Sequence, residues 1–169
     1  IVFYLTALFG AWSVLLFASP PIWGQYICWG IIGLFAAFCG LGICHDAIHG
    51  SLFKSSKLNS AFSFYFNILG ANDYIWSIMH NKVHHTFTNI DGHDEDLESV
   101  PFLRMSPHTK RKPIHRIQHW IAIPTYGLAT LSWVFIKDYV KFSKKQIGNF
   151  PTPKHPREAW IRLFAGKAI

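Results

Sequence analysis

Charge is scarce in this chain and confined to one part of it. Only 15% of the 169 residues are charged, and none of Asp, Glu, Lys, Arg or His occurs from Ile1 to Cys44. Half of the chain is hydrophobic and 17% is aromatic, which excludes an ordinary soluble domain. Two uninterrupted apolar runs, Ile1–Ser19 and Ile22–Cys44, each approach or exceed the roughly 20 residues a membrane span needs. No basic residue opens the first run, and it is too long for a cleaved signal peptide. Pro20, Pro21 and Gly24 predict a tight hairpin between the two. Cysteine is also sparse. Cys28, Cys39 and Cys44 lie in or at the end of the second run and fit neither a disulfide framework nor a CxxC metal site, which leaves packing. There is no internal repeat and no low-complexity tract. The chain starts at Ile1 rather than Met and is expected to be a piece of a longer protein, within a single domain.

What is present lies mostly beyond the hairpin. All 16 Lys and Arg follow residue 53, so the polypeptide from His45 onward is expected on the cytoplasmic side. A net charge of +7 and a pI near 9.5 would also suit nucleic acid, but here the charge borders apolar segments, which argues for a bilayer and against nucleic acid.

Five of the ten histidines form two clusters, His45-Asp46-Ala47-Ile48-His49 and His80-Asn81-Lys82-Val83-His84-His85. On an α-helix, residues four apart share a face, so His45/His49 and His80/His84 present paired imidazoles. His85 then points about 100° away from its neighbour. Imidazole suits Zn, Cu, Fe and Ni, and an isolated pair at a helix end would otherwise be hydrogen-bonded polar surface. Trp76 shares the His80/His84 face and either walls the site, as a substrate-tunnel residue, or packs in a core.

The remaining segments are read more coarsely. Lys54–Asn59 is a polar connector, and Ser60–Leu69 is too short to span and fits an interfacial or core helix ended by Gly70. Asn72 or Asp73 caps the helix that carries the second cluster. Asp91–Glu98 holds five carboxylates but lacks the EF-hand ligand order, leaving either a solvated acidic loop or acceptors for imidazole N–H groups. Ile117–Ile136 has basic residues at both flanks and is interrupted by Pro124 and Gly127. It is expected to lie in or dip into the membrane interface rather than to span. Phe150–Pro156 is a proline-rich connector, and Glu158–Ile169 begins another apolar helix.

His45-Asp-Ala-Ile-His49-Gly-Ser and His80-Asn-Lys-Val-His84-His85-Thr-Phe-Thr-Asn89 resemble the first two histidine boxes of membrane fatty acid desaturases. Asn89-Ile-Asp-Gly-His93-Asp-Glu-Asp-Leu97, Gln118-His119-Trp120, Tyr126-Gly127-Leu128 and Ser132-Trp133-Val-Phe-Ile-Lys137-Asp138 resemble the linoleoyl-CoA and front-end branch. The resemblance implies an all-α fold: an integral membrane helical hairpin with cytoplasmic and interfacial helices carrying the boxes. It implies one partial desaturase domain, with the hairpin at 1–44 and the histidine-box region at 45–116. An interfacial or re-entrant segment at 117–136 and a connector with the next helix at 137–169 would follow. It implies two Fe ions held by His45, His49, His80, His84 and His85, with O₂ as co-substrate. Asp46, Asn89, Asp91, His93, Asp94 and Asp96 are the candidates to brace those ligands. A fatty acyl substrate, the lipid bilayer and a cytochrome b5 or ferredoxin-type electron donor are the implied partners. The family's third box, and a further histidine at the end of its fourth span, match nothing here, so this piece alone is expected to be inactive.

An unactivated methylene has no acidic proton, so acid–base chemistry cannot remove its hydrogen, whereas iron with O₂ can. The rival readings are a membrane di-iron hydroxylase of an alkane, sterol or carotenoid, and a membrane zinc-binding transporter or receptor. Product analysis separates the first from a desaturase, and iron against zinc content separates the second.

Overall fold

The computed structural model describes residues 1–94, 96–97, 102–152 and 154–168. Among these the chain is mostly helical and divides into two compact units, Ile1–Leu69 and Gly70–Ile169.

In the first unit, helix α1 (Val2–Phe17) packs along α2 (Ile22–Ile48). Trp12 meets Trp29 at 5.3 Å, while Phe3 and Tyr4 meet Phe35 and Phe38, so the two helices run antiparallel. Leu8, Ala11, Cys28, Ile32, Cys39 and Ile43 form the core, with Phe62 and Tyr65 packed against it. Among the described residues, α2 is the one helix both long and apolar enough to cross a membrane. It runs past Cys44, where the apolar run ends, because nothing in His45–Ile48 breaks a helix before Gly50, whose φ is +73°. A π-helical turn, Cys39–Cys44, interrupts it just before the first histidine cluster. Helix α3 (Ser56–Ile68) starts inside the expected polar connector, since the Ser55 hydroxyl accepts the Leu58 N–H and caps it. Its buried Asn59 accepts the Phe53 N–H and donates to the Gly50 and Phe53 carbonyls, fixing the loop after His49.

In the second unit, residues 73–87 form one helix, α4, made of Asp73–Ser77, a π-helical stretch Ile78–His84, and His85–Phe87. As expected, Asn72 caps it, its side chain accepting the Ile75 N–H at 3.0 Å. Ile75, Ile78, Met79 and Val83 on one face enter a core completed by Phe142, Ile147, Ala159 and Leu163. Helix α5 (Gln118–Gly127) follows a 3₁₀ turn at Pro113–Arg116. Helix α6 covers 129–143, with a π turn at Trp133–Lys137. The expected apolar segment is therefore broken at Leu128, and Trp120, Ile123, Leu131, Phe135 and Ile136 are exposed on it.

The chain is not wholly α-helical. Gln146–Ile147 (β1) pairs antiparallel with Phe150–Pro151 (β2), where an irregular connector was expected from residue 150. Gly148-Asn149 closes this hairpin, and Gly148 sits at φ +52°, where a Cβ would lie 2.6 Å from Val83. Helix α7 (Arg157–Ala168) packs Ala159 and Leu163 into the core. Its Lys167 ammonium reaches the Gly70 carbonyl at 2.6 Å, the Trp133 carbonyl at 2.8 Å and the Asp138 carboxylate at 2.6 Å. Burial pushes the Asp138 carboxyl above its usual range, against the opposing pull of Lys167 and the Asn72 N–H.

Candidate metal centre

The first cluster rides on the end of α2. The π turn before it closes when the His45 N–H reaches back to the Gly40 and Gly42 carbonyls. His45 and His49 then lie with ring centroids 4.5 Å apart, as their spacing predicts. The Asp46 carboxylate meets His45 Nδ1 at 3.0 Å, which braces that ring's orientation.

The second cluster shows what the α-helical reading missed. In a π turn the hydrogen bond runs from residue i+5 to residue i, so a residue five apart joins the one four apart on the same face. The His85 N–H donates to the His80 carbonyl in this way. His85 is thereby drawn toward His80 instead of pointing away from it. The ring centroids form a triangle: His80–His84 5.2 Å, His80–His85 4.7 Å and His84–His85 5.6 Å. Trp76 stacks on His80 at 4.1 Å.

His84 is braced by a carboxylate ten residues on. Asp94 is 1% exposed, and its two oxygens stand 3.1 and 3.0 Å from His84 Nδ1. The Asn89 and Asp96 N–H groups also donate to it, at 2.9 and 3.0 Å. Burial alone would raise this carboxyl, but those N–H groups and the His84 ring outweigh it and hold it below its usual range. Asn89 contributes its backbone rather than its side chain, at φ +61° in the turn that brings Asp94 back.

Asp96 lies 3.5 Å from His84 Nδ1, and one donor atom each from His80, His84 and Asp96 all fall within 4.8 Å of one another. The Asp96 carboxylate thus lies on the same Nδ1 side of His84 as Asp94. Two other candidates are placed elsewhere. Asp91 is exposed and makes no hydrogen bond or ion pair among the described residues. His93 stacks on Phe87 at 5.4 Å and meets the Asn149 amide, so its ring is spent on the β1–β2 turn. Glu95 and Glu98 of the acidic segment lie outside the described residues.

An apolar cavity of about 530 Å³ opens beside this centre, lined by Asp96, Met105, Tyr126, Leu128, Trp133 and Lys137 among others. No sequence signal marked it, because its wall combines α5, α6 and residues 102–105.

The sequence model of the family described as fatty acid desaturase matches residues 18–166, and the chain belongs to that family. It is 28% identical over 159 residues to an sn-1 linoleoyl-lipid 6-desaturase of Arthrospira platensis, covering 94% of this chain and 43% of that protein. It is 26% identical over 146 residues to a protein of the same name from Synechocystis sp., covering 86% and 41%. An acyl-lipid (8-3)-desaturase of Physcomitrium patens is 28% identical over 168 residues, covering 98% of this chain and 33% of its own length. The chain therefore spans less than half the length of these relatives. No solved structure matches it.

Proposed function

We propose that this chain is part of a membrane-bound, iron-dependent desaturase that places a double bond in a fatty acyl chain carried on a membrane lipid. The observation that carries this reading is the triangle of His80, His84 and His85 with its buried Asp94 brace, in a chain that belongs to the desaturase family. The relatives' names supply the acyl-lipid class of substrate.

In this reading His45, His49, His80, His84 and His85 hold two irons. Bound there, iron with O₂ supplies an oxidant able to take hydrogen from an unactivated methylene. The chain's own residues do the rest. Asp94 and Asp46 fix which ring nitrogen of His84 and His45 carries the proton, leaving the other as a ligand. The cavity lies within the roughly 300–1,000 Å³ of ligand pockets, and its apolar wall excludes water from a bound acyl chain. Lys137 at its edge offers a cation to an anionic head group. Trp76 holds His80 in place and closes that side of the centre.

The hairpin of α1 and α2 crosses the bilayer, and residues 45–145 stay on the cytoplasmic side. There the exposed apolar face of 117–136 lies in the interface, between basic flanks that hold it to anionic lipid. The same basic face receives an electron donor of the cytochrome b5 or ferredoxin type.

Expression of the full-length gene in a host lacking the activity, followed by fatty acid profiling, tests this. The wild type makes a new unsaturated product, and His84→Ala makes none while remaining in the membrane fraction. A hydroxylated product would move the assignment to a hydroxylase. An active His84→Ala protein would remove it.

A further inference from the structure

The π stretch of α4 is what draws His85 toward His80, and a π stretch does not persist by itself. The π-helix is rare and occurs mostly as single-turn bulges inside α-helices, so its register here depends on what holds its two ends. The far end is held by the His84–Asp94 contact, and the Thr88 hydroxyl adds a bond to the His84 carbonyl. The near end is the turn around Asn72 and Asp73, and two carboxylates and two cations converge on it.

Asp138, on α6, accepts the Asn72 backbone N–H at 2.7 Å and the Lys167 ammonium at 2.6 Å. The other bonds from that ammonium end on the Gly70 and Trp133 carbonyls, and both charged groups are buried. Asp73, itself buried, accepts the Tyr74 N–H at 2.9 Å and is paired with Arg162. Lys167 and Arg162 both lie on α7. Helix α7 thus clamps the start of the histidine helix at two successive residues, directly at Asp73 through Arg162 and, by way of Asp138 on α6, at Asn72.

We infer that Asp138, whose buried charge Lys167 balances, is a positioning residue that, assisted by Arg162, holds the register of the π stretch and so keeps His80, His84 and His85 together. If the clamp loosens, residues 78–84 can tighten to the narrower α geometry. His85 then swings to about 140° from His80 around the helix axis. The inference rests on the reading that these histidines hold metal, but its first readout needs neither metal nor turnover.

The test uses the full-length protein in detergent, stripped of metal, with hydrogen–deuterium exchange followed on the segments covering 78–87 and 22–48. Asp138→Leu/Lys167→Met removes both charges and the acceptor for Asn72. Asp138→Asn/Lys167→Met removes both charges but keeps that acceptor. Arg162→Met removes only the half-exposed partner of Asp73. The leucine variant should raise exchange in 78–87 by about tenfold and leave 22–48 unchanged, while the asparagine variant stays near wild type. Arg162→Met, whose fold is least at risk, should raise it about threefold. Reloaded with iron, the leucine variant should show an altered ligand-field spectrum and a lowered kcat at unchanged KM. Unchanged exchange in 78–87 for Arg162→Met, or equal damage from the asparagine and leucine variants, overturns the inference. If exchange behaves as expected but the reloaded variants keep wild-type spectra, the clamp stands and the metal assignment of these histidines falls.

Discussion

Asp94→Asn is the sharpest perturbation of the centre. Three donors converge on the two oxygens of Asp94: the Asn89 N–H, the Asp96 N–H and, when His84 binds metal through Nε2, its Nδ1–H. Asparagine is nearly the same size but has one oxygen and an NH₂ group. In any rotamer at least one of the three donors then faces another donor, at a site 1% exposed where water has little access. A hydrogen bond to a charged acceptor is worth about 1.5–3 kcal/mol, and one left unmade in a buried site costs about as much. Loss of a group that orients a ligating histidine typically lowers metal affinity about 10–100-fold, or roughly 1.4–2.8 kcal/mol. The two estimates agree. Titration of the metal-free full-length protein with Fe(II), or with Co(II) as a spectroscopic probe, measures the change. Wild-type affinity in Asp94→Asn would show that His84 does not depend on this carboxylate, and would undo the argument for the tautomer.

Other substitutions test the frame around the centre. Gly148→Ala places a Cβ against Val83 at a left-handed φ and should cost about 1–3 kcal/mol in thermal or denaturant unfolding. A second change, Val83→Ala, should relieve the clash but not the backbone strain. Ile75→Ala empties a site with 0% exposure beneath the histidine helix and should cost about 2–5 kcal/mol, with iron affinity falling in parallel. For topology, single cysteines at the exposed positions Pro107 and Lys144 should both react from the cytoplasmic side. Labelling of either from the opposite side only would mean that 117–136 crosses the bilayer.

Much of this architecture was legible in the chain because its signals are local. Uncharged runs marked α1 and α2, Asn72 marked a cap, and the i, i+4 histidines marked shared faces. The misreadings come from features without a local signature. Residues 78–84 carry helix-compatible side chains in either α or π geometry. The choice is made by contacts at the two ends, one of them through Asp138 far along the chain. The Asp94 brace depends on a left-handed Asn89, and the acidic run alone did not distinguish Asp94 from the exposed Asp91. Two signals were present but passed over. Ser55 ahead of a helix-compatible run announces an N-cap, and Gly148-Asn149 between Ile147 and Phe150 is a hairpin turn pair.

The most direct test of the account is the metal content of the purified full-length protein alongside two double variants, His45→Ala/His49→Ala and His84→Ala/His85→Ala. The account predicts about two irons per wild-type chain, as a two-metal site requires, and fewer than two in each variant, with desaturation lost in both. Zinc in place of iron, or a full iron complement in the variant lacking His84 and His85, would contradict it.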